Sequence, residues 1–260
     1  MANIRFLLSS NLDAATMSVS GVAQLSGLPK ENVQDQLVRK VFRSTQKPST
    51  WLRFRSSAIT AVNGVFIGNH NFTKNALVYW QGNTTSNFAS GPALSTVLPV
   101  VTDSQANVIP KICHYFATTY MHKFHRLRIE DGGSVTTLKM GRVIAGRFIT
   151  PGRNMQDGFG IKTIDPSRGL ATMGRQTYWT LRNTYQEFTF SFGWAEKSVQ
   201  DWMYGIYNEV GQHTAFVLSL NPTTRPTDDS IYCQIMTPLQ STQRVNEVGD
   251  ISSLTFQEKN

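Results

Sequence analysis

Two histidines close to a cysteine are the first residues whose types could do chemistry. His122 and His125 are three residues apart, and Cys113 precedes them by nine positions. Side chains three apart on a strand point to opposite faces of a sheet, so the group could hold a metal only in a loop. A nucleophilic Cys113 or Cys233 needs a paired base, which no pattern in the sequence identifies. We therefore expect structural histidines, buried thiols and no metal site.

Two adjacent carboxylate pairs, Glu130-Asp131 and Asp228-Asp229, are candidates for glycoside hydrolysis. Neighbouring side chains on a strand diverge, whereas this reaction needs two carboxyl groups roughly 5–9.5 Å apart across a cleft. The sequence also lacks the motifs of serine hydrolases, Walker-type phosphate loops and His-Glu-x-x-His metalloproteases. It therefore predicts no catalytic residue, no cofactor and no enzymatic activity. A hydrolase that degrades surface polysaccharide stays a minor alternative.

One segment combines the residue types that carbohydrate recognition uses. Residues 80–88 read Trp-Gln-Gly-Asn-Thr-Thr-Ser-Asn-Phe. Flat aromatic rings can cover the C–H faces of sugars, and amide groups hydrogen-bond to sugar hydroxyls. The predicted ligand-binding residues are therefore Trp80, Asn83, Asn87 and Phe88, which we place in one loop. The alternative is an ordinary polar β-loop with an anchoring phenylalanine.

The basic residues of this chain are spaced rather than clustered. Its 260 residues include 25 Lys+Arg and 17 Asp+Glu, which gives a net charge of +8. In Arg53-Phe54-Arg55 and Arg126-Leu127-Arg128, strand geometry places the arginines on one face and the apolar residue on the other. This pattern favours a solvated face or a protein contact, so we expect no nucleic-acid sequence readout. No apolar run approaches the ~20 residues of a membrane span, so we expect none.

The elements that must position these residues are mostly strands. Short alternating or apolar segments, broken by Gly, Pro and Asn, predict a mainly β chain. Separate strands are predicted at 51–55, 61–67, 112–120 and 124–130, and Phe188, Phe190 and Phe192 share the buried face of another. Many short strands of this kind point to sandwiches or barrels.

One segment has helical periodicity instead. Apolar residues recur at positions 199, 202, 203, 206, 207 and 210, and Gly211 follows as a candidate C-terminal cap. A helix is therefore predicted at about 195–210, lying across a sheet. The polar, Gly-rich segment 151–160 suggests a boundary near Gly146, which divides the chain into domains 1–145 and 146–260.

Several stretches, taken in order, resemble a family of tailed-phage virion proteins, the tail-associated proteins with a carbohydrate-binding-like domain. They are Val41–Ser44, the strand centred on Trp51–Phe54, Val65–Thr73, Phe124–Asp131, Met140–Gly146, Arg153-Asn154-Met155 with Gly158, and Asp165–Arg168. His125 is a departure, because the family usually carries Trp there. The front of that family is similar to galactose-binding (discoidin-like) jelly rolls, which implies an N-terminal jelly-roll β-sandwich over 1–145. The pattern after 146 resembles the tail-tube fold, a β-sandwich or barrel with one flanking α-helix.

This resemblance implies a structural role in a bacteriophage tail tip or baseplate. A distal-tail-like protein would assemble as an oligomeric ring, a hexamer or a trimer, and link the tail tube to the tip proteins. Its partners would be copies of itself and the tube, hub and tape-measure proteins. It would be assembled in the host cytoplasm and located in the virion. The alternative is a receptor-binding module of the tail that grips a host surface glycan.

Overall fold

The computed structural model describes two compact units. The described residues are 4–8, 10–20, 24–45, 49–132, 137–152, 155, 159–171, 177–243 and 248–259. Unit 1 contains the chain up to Thr150 and the later segment Phe216–Ile231, and unit 2 contains Pro151–Ala215 and the chain from Tyr232 onward. The sequence predicts two consecutive domains, 1–145 and 146–260, and does not anticipate that Phe216–Ile231 belongs to unit 1. The boundary near residue 146 stays a prediction. Arg153, Asn154 and Gly158 lie outside the described residues.

Strands make up most of the described chain, and α1 is the one α-helix within it. The elements, in chain order, are β1 (Arg5–Leu7), β2 (Thr16–Ser20), a 3-10 turn (Lys30–Gln34), β3 (Phe42–Arg43), β4 (Ser49–Gly68), β5 (Leu77–Asn83), β6 (Leu94–Leu98), β7 (Lys111–Glu130), β8 (Lys139–Met140), β9 (Val143–Gly146), β10 (Phe148–Ile149), β11 (Gly160–Ile164), β12 (Arg168–Ala171), β13 (Thr177–Thr180), β14 (Tyr185–Glu196), α1 (Lys197–Val210), β15 (Phe216–Ser219), β16 (Ser230–Ile235), β17 (Ser241–Gln243) and β18 (Val248–Glu258). The predicted fold class, mainly β with sandwich sheets and a single helix, is confirmed for these residues.

The main sheet of unit 1 is antiparallel and is built around two long strands. Its order is β2-β4-β7-β5-β6, and β9 pairs with the second half of β4. Strands β4 and β7 run for 20 residues each, where the sequence predicts two short strands in each place. Register shifts interrupt their pairing between Arg55 and Thr60 and between Val62 and Gly64. Such bulges break the alternation and bend the strand, so one strand looks like two in the sequence.

One face of this sheet is the core of unit 1. Leu52, Phe54, Trp80, Leu127 and Ile129 are fully buried and belong to one apolar cluster. Each fully buried side chain of this size contributes roughly 1.5–3 kcal/mol through the hydrophobic effect. Because successive residues on a strand alternate faces, this burial aims the intervening arginines outward. Outside this main sheet, strands β10, β1 and β15 of unit 1 pair in this order.

Unit 2 combines a sheet with the predicted helix. Strands β11, β14 and β18 are paired in this order, β18 also pairs with β16 and β17, and α1 packs against β14 and β18. The helix begins two residues later than predicted and ends at Val210 as predicted. Its Val199, Met203 and Ile206 side chains are buried. Gly211 adopts a φ of 55° and donates its N–H to the Tyr207 carbonyl, as expected of a C-terminal cap.

Two successive strand pairs in unit 2 form a long ribbon, and we call its described residues, 160–171 and 177–196, the arm. Strand β11 pairs with β14, and β12 pairs with β13 beyond them. Between these two ladders the Arg182 N–H donates to Ser167 Oγ at 2.9 Å, which joins the two halves of the ribbon. The tail-tube resemblance of this region stays a prediction. The described chain contains no helix of the length and apolar character that crossing a membrane would take.

Candidate ligand-binding face

Four arginines lie together on the outward face of the unit 1 sheet, which we call the arginine face. Arg53 and Arg55 come from β4, and Arg126 and Arg128 come from the neighbouring β7. Arg53 is directly opposite Arg126, and Arg55 is directly opposite Phe124. The predicted alternation of arginines with apolar residues is therefore confirmed, and the strand pairing adds that both Arg-x-Arg segments share one surface.

Aromatic rings interleave with these guanidinium groups. The Arg53 guanidinium lies over Trp51 at 4.7 Å from the ring centroid, and that of Arg126 lies over Phe88 at 4.4 Å. The Arg128 guanidinium likewise lies over the Tyr79 ring, at 5.7 Å from the ring centroid. Such cation–π contacts are worth roughly 0.5–1 kcal/mol at exposed sites. They hold the arginines in fixed positions and cover one surface of each ring.

Most of the positive charge on the arginine face is not neutralised by carboxylates. Arg128 forms an ion pair with Glu130. Within the part of the chain that the structure describes, Arg53, Arg55 and Arg126 form no ion pair, although Arg126 Nε donates to Gln81 Oε1 at 2.7 Å. Burial, followed by the charges of Arg128 and Arg53, lowers the pKa of Arg126 below its usual range. The Nε of Arg53 is buried without a hydrogen-bond acceptor.

A cavity of about 370 Å³ opens on this face between β2, β4, β7 and the loop that follows β5. It is lined by Arg53, Arg55, Thr16, Ser18, Ser86, Phe124 and Met17. These residues bring two guanidinium groups, three hydroxyls and a ring to this face, whereas the Met17 side chain belongs to the buried core cluster. Guanidinium forks donate to anionic oxygens, and hydroxyls both donate and accept hydrogen bonds. The cavity therefore suits a small, polar, oxygen-rich ligand.

Trp80, the first predicted ligand-binding residue, is in the core rather than in a loop. It belongs to β5 and is fully buried, with its ring stacked 5.5 Å from that of His125. Its neighbours on the strand alternate in and out, and Trp80 falls on the inward side. The expectation that this ring could stack on a sugar is therefore wrong in this structure.

Asn83 and Asn87 build the loop after β5. Asn83 Nδ2 donates to the Asn87 carbonyl at 2.6 Å, and Asn83 Oδ1 accepts from the Thr84 N–H at 2.8 Å. Asn87 Oδ1 accepts from the Ala89 N–H at 2.8 Å. These bonds use the amides to shape the turn, as Asn side chains commonly do. A ligand-binding role for either residue stays a prediction.

Phe88 is the one predicted residue of the four that reaches the arginine face. Its buried ring lies against the guanidinium groups of both Arg53 and Arg126, at 5.4 and 4.4 Å. The loop built by Asn83 and Asn87 thus carries Phe88 across the strands and brings Ser86 to the cavity. Through Ser86, the loop forms part of the cavity wall, and a ligand-binding role for Phe88 stays a prediction.

His122, His125 and Cys113 lie elsewhere in unit 1, and Cys233 is buried in unit 2. The rings of His122 and His125 are 6.3 Å apart, and burial lowers the pKa of His125 to about 4. Cys113 is fully buried, which raises the pKa of its thiol above the usual range. No group of three or more His, Cys, Asp or Glu side chains that could hold a metal occurs among the described residues.

Sequence reasoning treated the arginines as a solvated surface and did not identify them as a site. The missing information was the pairing of β4 with β7, because each Arg-x-Arg segment alone contributes only two charges. An available signal was the aromatic residue next to each segment, Trp51 before Arg53 and Phe124 before Arg126. Interleaved basic and aromatic residues on two strands of one sheet form a surface that neither strand has alone.

Comparisons with known proteins find likenesses of structure only. Neither protein-family models nor curated proteins give a match. Chitosan-binding module 1 of a chitosanase/glucanase from Paenibacillus sp. IK-5 shares 13% identity, with a TM-score of 0.40 over 53% of this chain and 98% of that one. A fucose-binding module from Streptococcus pneumoniae shares 11%, with a TM-score of 0.40 over 54% and 96%. A putative alpha-L-fucosidase from Bacteroides thetaiotaomicron shares 17%, with a TM-score of 0.40 over 54% and 28%.

By their names, the first two of these neighbours bind carbohydrate. The resemblance of this chain to tailed-phage virion proteins rests on the sequence motifs and stays a prediction.

Proposed function

We propose that this protein is a glycan-binding module whose ligand occupies the cavity on the arginine face. The observation that carries the proposal is the lining of that cavity, which Thr16, Ser18 and Ser86 share with Arg53 and Arg55. Sugars present closely spaced hydroxyl and ring oxygens, and such oxygens need donors and acceptors held at fixed positions. The cation–π contacts and the loop bonds supply that fixed geometry. The proposed function is binding without catalysis.

A substitution that fills the cavity tests this function. Ser18 is exposed on β2 and lines the cavity, so Ser18→Trp would occupy it without disturbing the core. Tryptophan suits a strand, so the variant is expected to fold. On a glycan array, the unaltered protein is expected to bind at least one glycan. The signal of Ser18→Trp for that glycan should be at least tenfold lower.

Ser57→Trp is the matched control, because Ser57 is exposed on β4 but does not line the cavity. It should keep the binding of the unaltered protein. A glycan that binds Ser18→Trp as tightly as the control would place the site elsewhere. No binding to any glycan at millimolar concentration would remove the proposal.

The arm favours a second candidate function, self-association as a structural ring protein of a phage tail tip. Four of its large apolar side chains are more than half exposed: Leu170 at 72%, Tyr178 at 62%, Trp179 at 65% and Leu181 at 83%. Exposed apolar groups gathered on one element are typical of contact surfaces. The occupant proposed here is a second copy of this chain, and in this case the protein would be located in the virion, next to tube and hub proteins.

Removing apolar groups from the arm tests the second candidate. The double substitution Leu170→Ser with Leu181→Ser should convert an oligomer to a monomer in sedimentation velocity at tens of micromolar. Both side chains are exposed, so the free energy of unfolding should change by less than about 0.5 kcal/mol for each. Ile59→Ser, at an exposed aliphatic residue of unit 1, is the control and should leave the oligomer intact. An unaltered protein that is already monomeric would contradict this candidate.

A further inference from the structure

We infer that the arginine face selects an anionic glycan, a sugar chain whose units carry carboxylate or phosphate groups, and binds the anion between Arg53 and Arg55. This inference rests on the proposed function and names the class of ligand for the same cavity. It starts from the charges of the face, from the way its rings are covered, and from the polar atoms left without partners.

The first observation is the excess of positive charge at the cavity. Two guanidinium groups line it, and none of the described residues that line it carries a carboxylate. Arg53 also lies directly opposite Arg126, and like charges at directly opposed positions of a sheet destabilise the pair. A bound anion would neutralise this repulsion. A neutral sugar would leave it in place, so the face distinguishes the two by electrostatics.

The second observation is that the rings of the face are covered. Neutral sugars and nucleic-acid bases are both held by stacking on open aromatic surfaces. Here the Arg53 guanidinium lies over Trp51, and Phe88 is buried against Arg53 and Arg126. The Phe124 ring, which lines the cavity, is itself paired with a cation, since the Arg55 guanidinium lies 6.0 Å from its centroid. Recognition therefore depends mainly on the guanidinium groups and hydroxyls, whose strongest partners are carboxylate and phosphate oxygens.

The third observation is an unused donor. Arg53 Nε is buried and has no acceptor among the described residues. A buried donor without a partner carries a desolvation cost. A small rotation of the Arg53 side chain that brings Nε to a ligand oxygen would remove this cost. The hydroxyls of Thr16, Ser18 and Ser86 would contact the sugar that carries the anion.

Calorimetric titration with four probes tests the inference. The probes are a hexagalacturonate, its carboxyl-reduced neutral analogue, a phosphomannan oligosaccharide and a single-stranded oligothymidylate. At least one anionic glycan should bind ten times more tightly than the neutral analogue. If the hexagalacturonate binds more tightly, the recognised group is a carboxylate, and if the phosphomannan oligosaccharide does, it is a phosphate.

Two matched double variants separate the effect of the cavity arginines from the effect of the protein's net charge. Arg53→Gln with Arg55→Gln should weaken binding of the anionic glycan by at least tenfold, since charge-assisted hydrogen bonds are lost. Arg39→Gln with Lys74→Gln removes the same charge from two exposed turn residues outside the cavity and should change binding by less than twofold. If the first double variant melts early, Arg55→Gln alone, at an exposed residue, should still weaken binding at least threefold.

Three results would overturn the inference. Equal affinity for the neutral analogue, still blocked by Ser18→Trp, would leave glycan binding standing and remove the selectivity for anions. Tighter binding of the oligothymidylate than of either anionic glycan would assign the face to nucleic acid. Failure of every glycan to bind would remove the proposed function together with the inference.

Discussion

The arginine face of unit 1 and the arm of unit 2 use the same aromatic residue types in opposite ways. On the arginine face, guanidinium groups lie over the rings of Trp51 and Tyr79. On the arm, the rings of Tyr178 and Trp179 are more than half exposed. The covering therefore decides the chemistry: a covered ring fixes a charge in position, while an open ring offers apolar area to another protein surface.

The contrast extends to the polar groups around the rings. The cavity on the arginine face is lined by hydroxyls as well as arginines. On the arm, Leu170 lies directly opposite Tyr178 on β13, so two apolar side chains share one face of a two-stranded ribbon. A ribbon of two strands buries little of its own surface and is marginally stable alone. We expect the two regions to respond differently to substitution, pH and salt.

The largest expected difference concerns the two tryptophans. Trp80→Ala removes a fully buried ring and should lower the free energy of unfolding of unit 1 by roughly 3–5 kcal/mol. Trp179→Ala removes an exposed ring and should change the free energy of unfolding by less than about 0.5 kcal/mol. Urea unfolding followed by circular dichroism measures both. Equal effects would mean that the arm ring is packed as deeply as the core ring.

The next difference is the response to acid. Burial lowers the pKa of His70 and of His125 from the usual 6.5 to about 4, and both are in unit 1. A pKa lowered by folding means that the neutral form is favoured in the folded state. The stability from each histidine is therefore complete above pH 6.5 and is lost as the pH falls from 6.5 to about 4, up to about 3 kcal/mol for each.

Unfolding at pH 7.5, 5.5 and 4.5 should show this loss in unit 1. His125→Phe keeps a ring next to Trp80 and should remove about half of the pH dependence that the two histidines produce. His213→Phe, at an exposed histidine of unit 2, is the control and should leave the pH dependence unchanged. A profile of unit 1 that is flat between pH 7.5 and 4.5 would contradict the buried, neutral state of both rings.

The smallest expected difference concerns salt. Ligand binding through Arg53 and Arg55 should weaken about three- to tenfold between 50 and 500 mM NaCl, because screening shortens the range of charge interactions. Self-association through the arm should stay constant or strengthen, since it depends on apolar burial. Titration calorimetry and sedimentation at the two salt concentrations measure the two responses. Ligand affinity independent of salt would argue against the arginines as the binding groups.

Sequence patterns predicted the elements better than the site. The period of Val199, Met203 and Ile206 placed α1 to within two residues, because a helix stripe is a local property. The division of β4 at Arg55 was wrong, because a bulge and a strand end break the alternation in the same way.

The site depended on information that is not local. Trp80 looked like a loop residue because it precedes a polar run, and only the pairing of β5 with β7 shows that it faces the core. The cavity needs β2, β4, β7 and Ser86 together, and no short pattern brings these four segments to one place. The resemblance to phage virion proteins supplied a hypothesis about assembly but transferred no ligand residue.

The direct opposition of Arg53 and Arg126 has a consequence for anyone who tries to improve this protein. A screen for thermal resistance alone would favour variants in which either arginine is neutral, since that removes a like-charge pair. Of these, the variants at Arg53, which lines the cavity, should survive heating and lose their ligand, which is the usual exchange between stability and activity. Thermostabilised versions should therefore be selected with the anionic ligand present.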